Sequence, residues 1–131
     1  MKLRFSADGL VDGGVECAIY KNEKHEIEHV VHLVEWLRRQ LLQLKDEAEN
    51  KHQSGEKYLA FNQIWIGGGR MPFAAVKATK SSYTAFCVHP EVRDTFDWSL
   101  QSPDIDKVSV FLADKAMRVS DLDWQPTGNT N

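Results

Sequence analysis

The residues with the clearest potential for chemistry are the histidines between positions 25 and 32. His25, Glu26 and His29 satisfy the pattern H-E-x-x-H, in which two histidines bind zinc and the glutamate acts as a general base. His32 continues the spacing, so a helix would place His25, His29 and His32 on one stripe. The spacing is therefore typical of either a zinc protease or a non-catalytic zinc site on a helix surface. The alternative is a stripe of solvated or packed histidines without metal.

The surroundings of the motif disfavour a zinc protease. Polar residues 21–24 precede it where a protease helix would be apolar, and no G-x-x-H continuation follows. A non-catalytic site with zinc as its cofactor stays open as an alternative. We favour histidines without metal, and hence a protein without a cofactor.

The element that would position these histidines is a helix from residue 23 to about residue 50. Its apolar residues recur with the helical period, namely Ile27, Val30, Val31, Val34, Leu37, Leu41, Leu44 and Ala48. The opposite stripe carries His29, His32, Trp36 and Gln43. Because a tryptophan is costly to leave in water, these four residues predict an interaction surface. Either the chain's own loops cover it or a partner does, and a second copy of the chain is the simplest partner.

The rest of the chain has the patterns of β-strands. Residues 2–5 and 15–20 flank turn-forming residues and predict a hairpin. Further strands are predicted at 57–66, 70–79, 81–90, 95–100 and 107–113. The connections are too short for parallel crossovers, so we expect an α+β fold with an antiparallel meander of about five to seven strands packed against one long amphipathic helix. Residues 1–124 should form a single domain, followed by a flexible tail at 125–131.

Three glycines and an arginine mark a second candidate site between two of these strands. Gly67, Gly68, Gly69 and Arg70 are rich in glycine like a phosphate-binding loop, but a strand follows them and no P-loop lysine is present. A hairpin turn is the favoured interpretation. An exposed turn of this kind could still contact a ligand.

A third candidate is a pocket between a curved sheet and the helix. Aromatic residues Tyr58, Trp65 and Phe73 would line it, with His89 or Glu35 as polar members. Such a pocket predicts a small-molecule-binding protein or an enzyme. No convergent set of acid, base and nucleophile can be assembled from the sequence, so we favour a protein without catalytic activity.

Composition and charge narrow the classes of partner. The chain has 131 residues, of which 42% are hydrophobic and 27% charged, as in a small soluble single-domain protein. It lacks an apolar run of the roughly 20 residues that span a bilayer, and lacks a signal-peptide core, so we expect a cytoplasmic protein without membrane contact. Residues 51–90 are basic, but the pI near 5.9 disfavours nucleic acid. Cys17 and Cys87 are expected to stay thiols.

These observations favour a small non-catalytic interaction protein of the sequestering or inhibitory type. Its partner would be another protein or a second copy in a homodimer. Contact would involve the helix stripe or an acidic surface built from Asp94, Asp97, Asp104, Asp106, Asp114, Asp121 and Asp123.

Overall fold

An antiparallel sheet, with seven strands in the part of the chain that the structure describes, forms the centre of the molecule. The computed structural model describes residues 2–10, 16–21, 27–28, 30–51, 56–64, 67–88 and 98–120. The strands are β1 Lys2–Asp8, β2 Cys17–Lys21, β3 Ile27–Glu28, β4 Lys57–Ile64, β5 Arg70–Ala78, β6 Tyr83–Cys87 and β7 Ser99–Ser102. Their order across the sheet is β3-β2-β1-β4-β5-β6-β7. The predicted α+β class with an antiparallel sheet is confirmed.

Two helices in the described part of the chain pack on the same face of this sheet. Helix α1 spans Val30–Lys51 and lies against β2, β4 and β5, whereas α2 spans Ile105–Ser120 and lies against β5, β6 and β7. The helices also pack against each other. The prediction of one long helix was therefore incomplete, because a second helix shares the sheet.

The buried side of α1 is broader than the predicted stripe. Leu37, Leu41, Leu44 and Ala48 are buried, as predicted, but so are Leu33, Trp36 and Gln40. Trp36 is 2% exposed and packs edge-to-face against Phe61 with 5.8 Å between ring centroids. Val31 is 70% exposed and Val34 only half-buried. The prediction of Trp36 on the solvent side was wrong, because the sheet and α2 together enclose more of the helix than one narrow stripe.

Helix α1 also begins later than predicted. Residues 27 and 28 form β3, in which Ile27 pairs with Lys21 and Glu28 with Tyr20. The edge of β2 offers backbone N–H and C=O groups that can pair with another strand. By pairing with this edge, residues 27–28 satisfy the backbone hydrogen bonds that a helix would otherwise provide. The helical pattern therefore overestimated the N-terminal extent of α1.

The strand predicted at residues 107–113 is wrong, because these residues belong to α2. Val108, Leu112 and Ala116 are buried at a spacing of four, whereas Val110 is exposed. Asp104 caps the helix: its Oδ1 accepts hydrogen bonds from the backbone N–H of Asp106 at 3.0 Å and of Lys107 at 3.4 Å. The alternation of Val108 and Val110 matches a strand pattern and concealed the helical period. The capping residue Asp104 is a sequence signal that could have indicated the start of a helix.

The predicted hairpins and thiols are confirmed. β1 pairs antiparallel with β2, and the turn between β4 and β5 contains Gly67 and Gly68 at φ 95° and 93°, values that favour glycine. Cys17 and Cys87 are both buried and carry thiol side chains. They lie on β2 and β6, four strand spacings or roughly 19 Å apart, which is too far for a disulfide.

Candidate functional site

The structure removes the geometric basis of the predicted zinc site. His25 and His29 lie outside the described residues, but Ile27 and Glu28 between them are in a strand, so the helical spacing that joined them to His32 does not apply. His32 itself is exposed on α1. Among the residues that the structure describes, no group of three or more His, Cys, Asp or Glu is placed to hold a metal ion.

The predicted interaction surface on α1 is also changed. Trp36, its principal residue, lies in the core against Phe61 and is not available to a partner. Gln43 is half-buried, and its Nε2 donates to Glu47 Oε2 at 3.0 Å. His29 lies outside the described residues. The reason for proposing a partner on this side of α1 therefore disappears.

The three described residues of the predicted pocket, Phe73, Glu35 and Tyr58, are not brought together. Phe73 is buried in the core, edge-to-face with Phe5 at 6.1 Å. Glu35 is exposed on α1, and Tyr58 is 53% exposed on β4. Trp65 and His89 lie outside the described residues. Strand alternation places Tyr58 on the side of β4 away from α1, because Phe61 on the same strand contacts Trp36.

The strongest candidate site is the face of the sheet that neither α1 nor α2 covers. Two ladders of directly paired residues cross its centre from β4 to β7, namely Tyr58-Lys77-Thr84-Gln101 and Ala60-Ala75-Phe86-Ser99. We call these eight positions, together with the ion pairs Arg4–Glu16 and Arg70–Asp8 at their rim, the helix-free face. Tyr58 is exposed, and Phe86, Ala60 and Ala75 are half-buried. Because the side chains of Ala60 and Ala75 end at Cβ, the centre of this face forms a shallow depression between the rings of Tyr58 and Phe86.

Two ion pairs form the rim of the helix-free face at the end near the glycine turn. Arg4 donates from Nε and Nη2 to Glu16 Oε2 at 3.1 and 2.7 Å. Arg70 Nη1 donates to Asp8 Oδ1 at 2.9 Å. All four side chains are partly exposed, so each ion pair contributes little to the free energy of unfolding. The two pairs nevertheless cancel the charges of the rim. The predicted glycine loop therefore contributes Arg70, while Gly67 to Gly69 form an exposed turn.

A buried amide holds this rim in place. Asn62 Nδ2 donates to Ser6 Oγ at 3.2 Å and to Asp8 Oδ2 at 2.8 Å. Asn62 and Ser6 are both buried although they belong to the helix-free side of β4 and β1. Asp8 thus accepts from Asn62 through one oxygen and from Arg70 through the other, which fixes its carboxylate.

The sequence contains a pattern that is typical of this site. Tyr58, Ala60, Asn62 and Ile64 alternate with the core residues of β4, and the same period of two separates Arg4, Ser6 and Asp8 from the core residues of β1. Which of the two sheet faces the helices cover cannot be derived from this alternation. Only the packing identifies the uncovered face.

The predicted acidic surface is partly neutralised within the described residues. Asp104 caps α2, Asp106 accepts from Arg38 Nε at 2.9 Å, and Asp114 accepts from Arg118 Nε at 3.0 Å. The other four aspartates of that prediction, at positions 94, 97, 121 and 123, lie outside the described residues. The described part of this surface therefore does not present a strong negative field.

Among the described residues, the groups with shifted pKa values lie in the core and not on the helix-free face. Burial raises the pKa of Cys17 from 9.0 to about 11, and the nearby Arg39 guanidinium opposes this with a smaller effect. Burial also raises the pKa of Tyr83, with Glu49 adding to the shift. Tyr83 donates from its hydroxyl to the Leu41 carbonyl at 3.3 Å, so it has a structural partner. Neither group is poised for catalysis at neutral pH.

Comparison of the chain with protein-family models, with curated proteins and with solved structures found no match. Neither described helix has an apolar stretch long enough to cross a membrane.

Proposed function

We propose that this chain is a non-catalytic protein-binding protein that contacts its partner through the helix-free face. The observation that carries the proposal is the arrangement of that face: aromatic and small apolar residues alternate with polar side chains across its centre, and internally paired charges lie at its rim. Protein interfaces combine aromatic and apolar residues that lose water on contact with a polar rim that stays hydrated. Exposed Tyr58 and half-buried Phe86 supply the kind of rigid aromatic contact that dominates binding energy.

The charges indicate what such a partner should present. The rim carries two cations and two carboxylates in two pairs, so it contributes no net charge. Lys77, at the centre, has no carboxylate among the described residues within ion-pair distance, and its side chain is half-buried. A partner with an apolar patch and one carboxylate opposite Lys77 would complement the face. Because most of the contact is uncharged, we expect affinity to depend only weakly on salt.

The buried thiols agree with a reducing compartment, and we propose that the protein acts in the cytoplasm. The partner would be another protein, or a second copy of the chain in a homodimer. These two possibilities are separated by the same experiment.

A photo-crosslinking amino acid at position 77 or 84 tests the proposal in cells. Both positions should capture the same protein, whereas position 31, exposed on the opposite side of the molecule, should not. Tyr58→Glu should reduce the capture at both positions at least tenfold, because it places a charge in a contact that excludes water. A product of twice the chain's mass, matched by a dimer in sedimentation, would identify the partner as a second copy.

Capture at position 31 equal to that at 77 and 84 would contradict the proposal. So would capture that Tyr58→Glu leaves unchanged while circular dichroism shows that the variant is folded. Absence of any product from either position would also reject the helix-free face as a contact surface.

A further inference from the structure

Strand β7 forms one edge of the sheet, and its hydrogen bonding shows which backbone groups are free. The N–H of Cys87 donates to the carbonyl of Trp98 at 3.2 Å, so these two residues form a hydrogen-bonded pair. Hydrogen-bonded and non-hydrogen-bonded pairs alternate in an antiparallel ladder. Leu100 therefore bonds to β6, whereas the N–H and C=O of Ser99 and Gln101 point outward. No strand in the described part of the chain lies beyond β7.

Of the features that usually prevent another strand from adding to an exposed edge, β7 has a short length, since it spans only four residues. Charged residues, prolines and bulges protect other edges, but β7 reads Ser-Leu-Gln-Ser and pairs with β6 without a register shift. Ser99 and Gln101 are exposed. Their four outward backbone groups have the spacing that an extended chain matches and a helix does not.

A strip of partly exposed apolar residues lies beside the same edge, on the helix side. Trp98 and Leu100 point to this side, and Trp98 packs edge-to-face against Phe111 of α2 at 5.4 Å. Lys115 Nζ lies over the Phe111 ring, 4.9 Å from its centre. We call Trp98, Leu100 and Phe111 the edge strip. The indole N–H of Trp98 is buried and has no hydrogen-bond partner.

We infer that β7 binds an extended segment of another protein, which adds to the sheet as an eighth strand. Main-chain hydrogen bonds to Ser99 and Gln101 would hold the segment, and alternate side chains would contact the edge strip. Because side chains alternate between faces, the segment should be apolar at every second position and polar between. The backbone groups and the apolar strip are independent observations that select the same kind of ligand.

This site is separate from the helix-free face and does not rest on the proposed function. Its contacts come from the backbone of β7 and from the helix side of the sheet, whereas those of the proposed interface come from side chains on the opposite side. Tyr58→Glu should therefore leave binding at β7 within about twofold of wild type. That variant separates a failure at one site from a failure at the other.

The probe is a fluorescent peptide of alternating valine and threonine, with a lysine at each end for solubility. Fluorescence anisotropy should show saturable binding to the full chain. The same peptide with N-methyl groups on the amides that face β7 keeps its side chains but loses these donors. It should bind at least roughly tenfold more weakly, the effect of losing hydrogen bonds and gaining a steric block.

A matched pair of variants tests the backbone contact from the protein's side. Gln101→Pro removes an outward N–H without removing a bond to β6, a position at which edge strands tolerate proline. Gln101→Ala keeps that N–H. We expect Gln101→Pro to weaken peptide binding at least roughly tenfold and Gln101→Ala to change it less than about threefold. In NMR amide exchange, peptide should slow exchange at Ser99 and Gln101, while Leu100 is already slow in the free protein.

Several outcomes would overturn the inference. These are no saturable binding of the peptide at millimolar concentration, equal binding of the N-methylated peptide, and equal binding by folded Gln101→Pro and Gln101→Ala proteins. Slow exchange at Ser99 and Gln101 that grows with protein concentration in the absence of peptide would show that a second copy occupies the edge, and would reject a foreign segment as the ligand.

Discussion

The buried ion pair between Lys57 and Glu47 gives a quantitative test of how α1 docks on β4. The side chains of Lys57 and Glu47 are 11% and 5% exposed, and Gln43 Nε2 donates to the same carboxylate at 3.0 Å. Lys57→Met keeps the apolar stem and removes the ammonium, so the buried Glu47 carboxylate loses this ion pair. We expect the free energy of unfolding to fall by about 3–5 kcal/mol, the usual cost of breaking a buried pair from one side.

Removing both charges should cost much less than removing one. The double variant Glu47→Leu, Lys57→Met eliminates the desolvation of two ions together with their attraction, and half-buried Gln43 can turn its amide to water. We expect its stability to lie within about 1 kcal/mol of wild type or above it. Glu47→Leu alone should lower the free energy of unfolding by about 1–3 kcal/mol, because the Lys57 ammonium can still reach solvent. The coupling between the two sites should then be about 3 kcal/mol or more.

Urea unfolding of the wild type, both single variants and the double variant measures this coupling. Arg38→Met is the matched control, since Arg38 pairs with Asp106 at 2.9 Å with both side chains exposed. Solvent screens that pair, so the control should change stability by only about 0–1 kcal/mol. A loss below about 1 kcal/mol for Lys57→Met, with additive effects in the double variant, would refute the burial of this pair between α1 and β4.

Four further predictions concern the core and the histidines. Leu37→Ala should lower the free energy of unfolding, measured in urea, by about 2–5 kcal/mol. Trp36→Glu should leave the chain unfolded in circular dichroism because it places a charge in the core. A folded monomer would instead indicate that Trp36 lies on the surface. Because the pKa of Cys17 is near 11 when folded and 9.0 when unfolded, the unfolded state loses its proton first, so stability should fall as pH rises from 9 to 11. Cys17→Ala should lessen that fall, and an unchanged pH profile would contradict it. Zinc should shift the melting temperature of the wild type and of a His25→Ala, His29→Ala variant equally; a shift confined to the wild type would restore the metal site.

The sequence alone determined those parts of the fold that depend on local chemistry. Glycines at positions 67 and 68 indicated a turn, and the aromatic and branched residues in 57–66 and 70–79 indicated the strands that this turn joins. Leu37, Leu41 and Leu44 were identified as core because they recur on a helix at a spacing that any covering surface would bury. The candidate metal site, by contrast, rested on a helix whose first turns the pattern extended too far.

Tertiary contacts decided the rest. Residues 27–28 join a strand because β2 offers them partners, and Trp36 is buried because the sheet and α2 meet α1 along a wide surface. Val108 and Leu112 satisfy a period of two as well as a period of 3.6, so their local pattern fits a strand and a helix alike. The choice between them, and the choice of which sheet face stays uncovered, depends on what each element packs against, and that information is distributed over the whole chain.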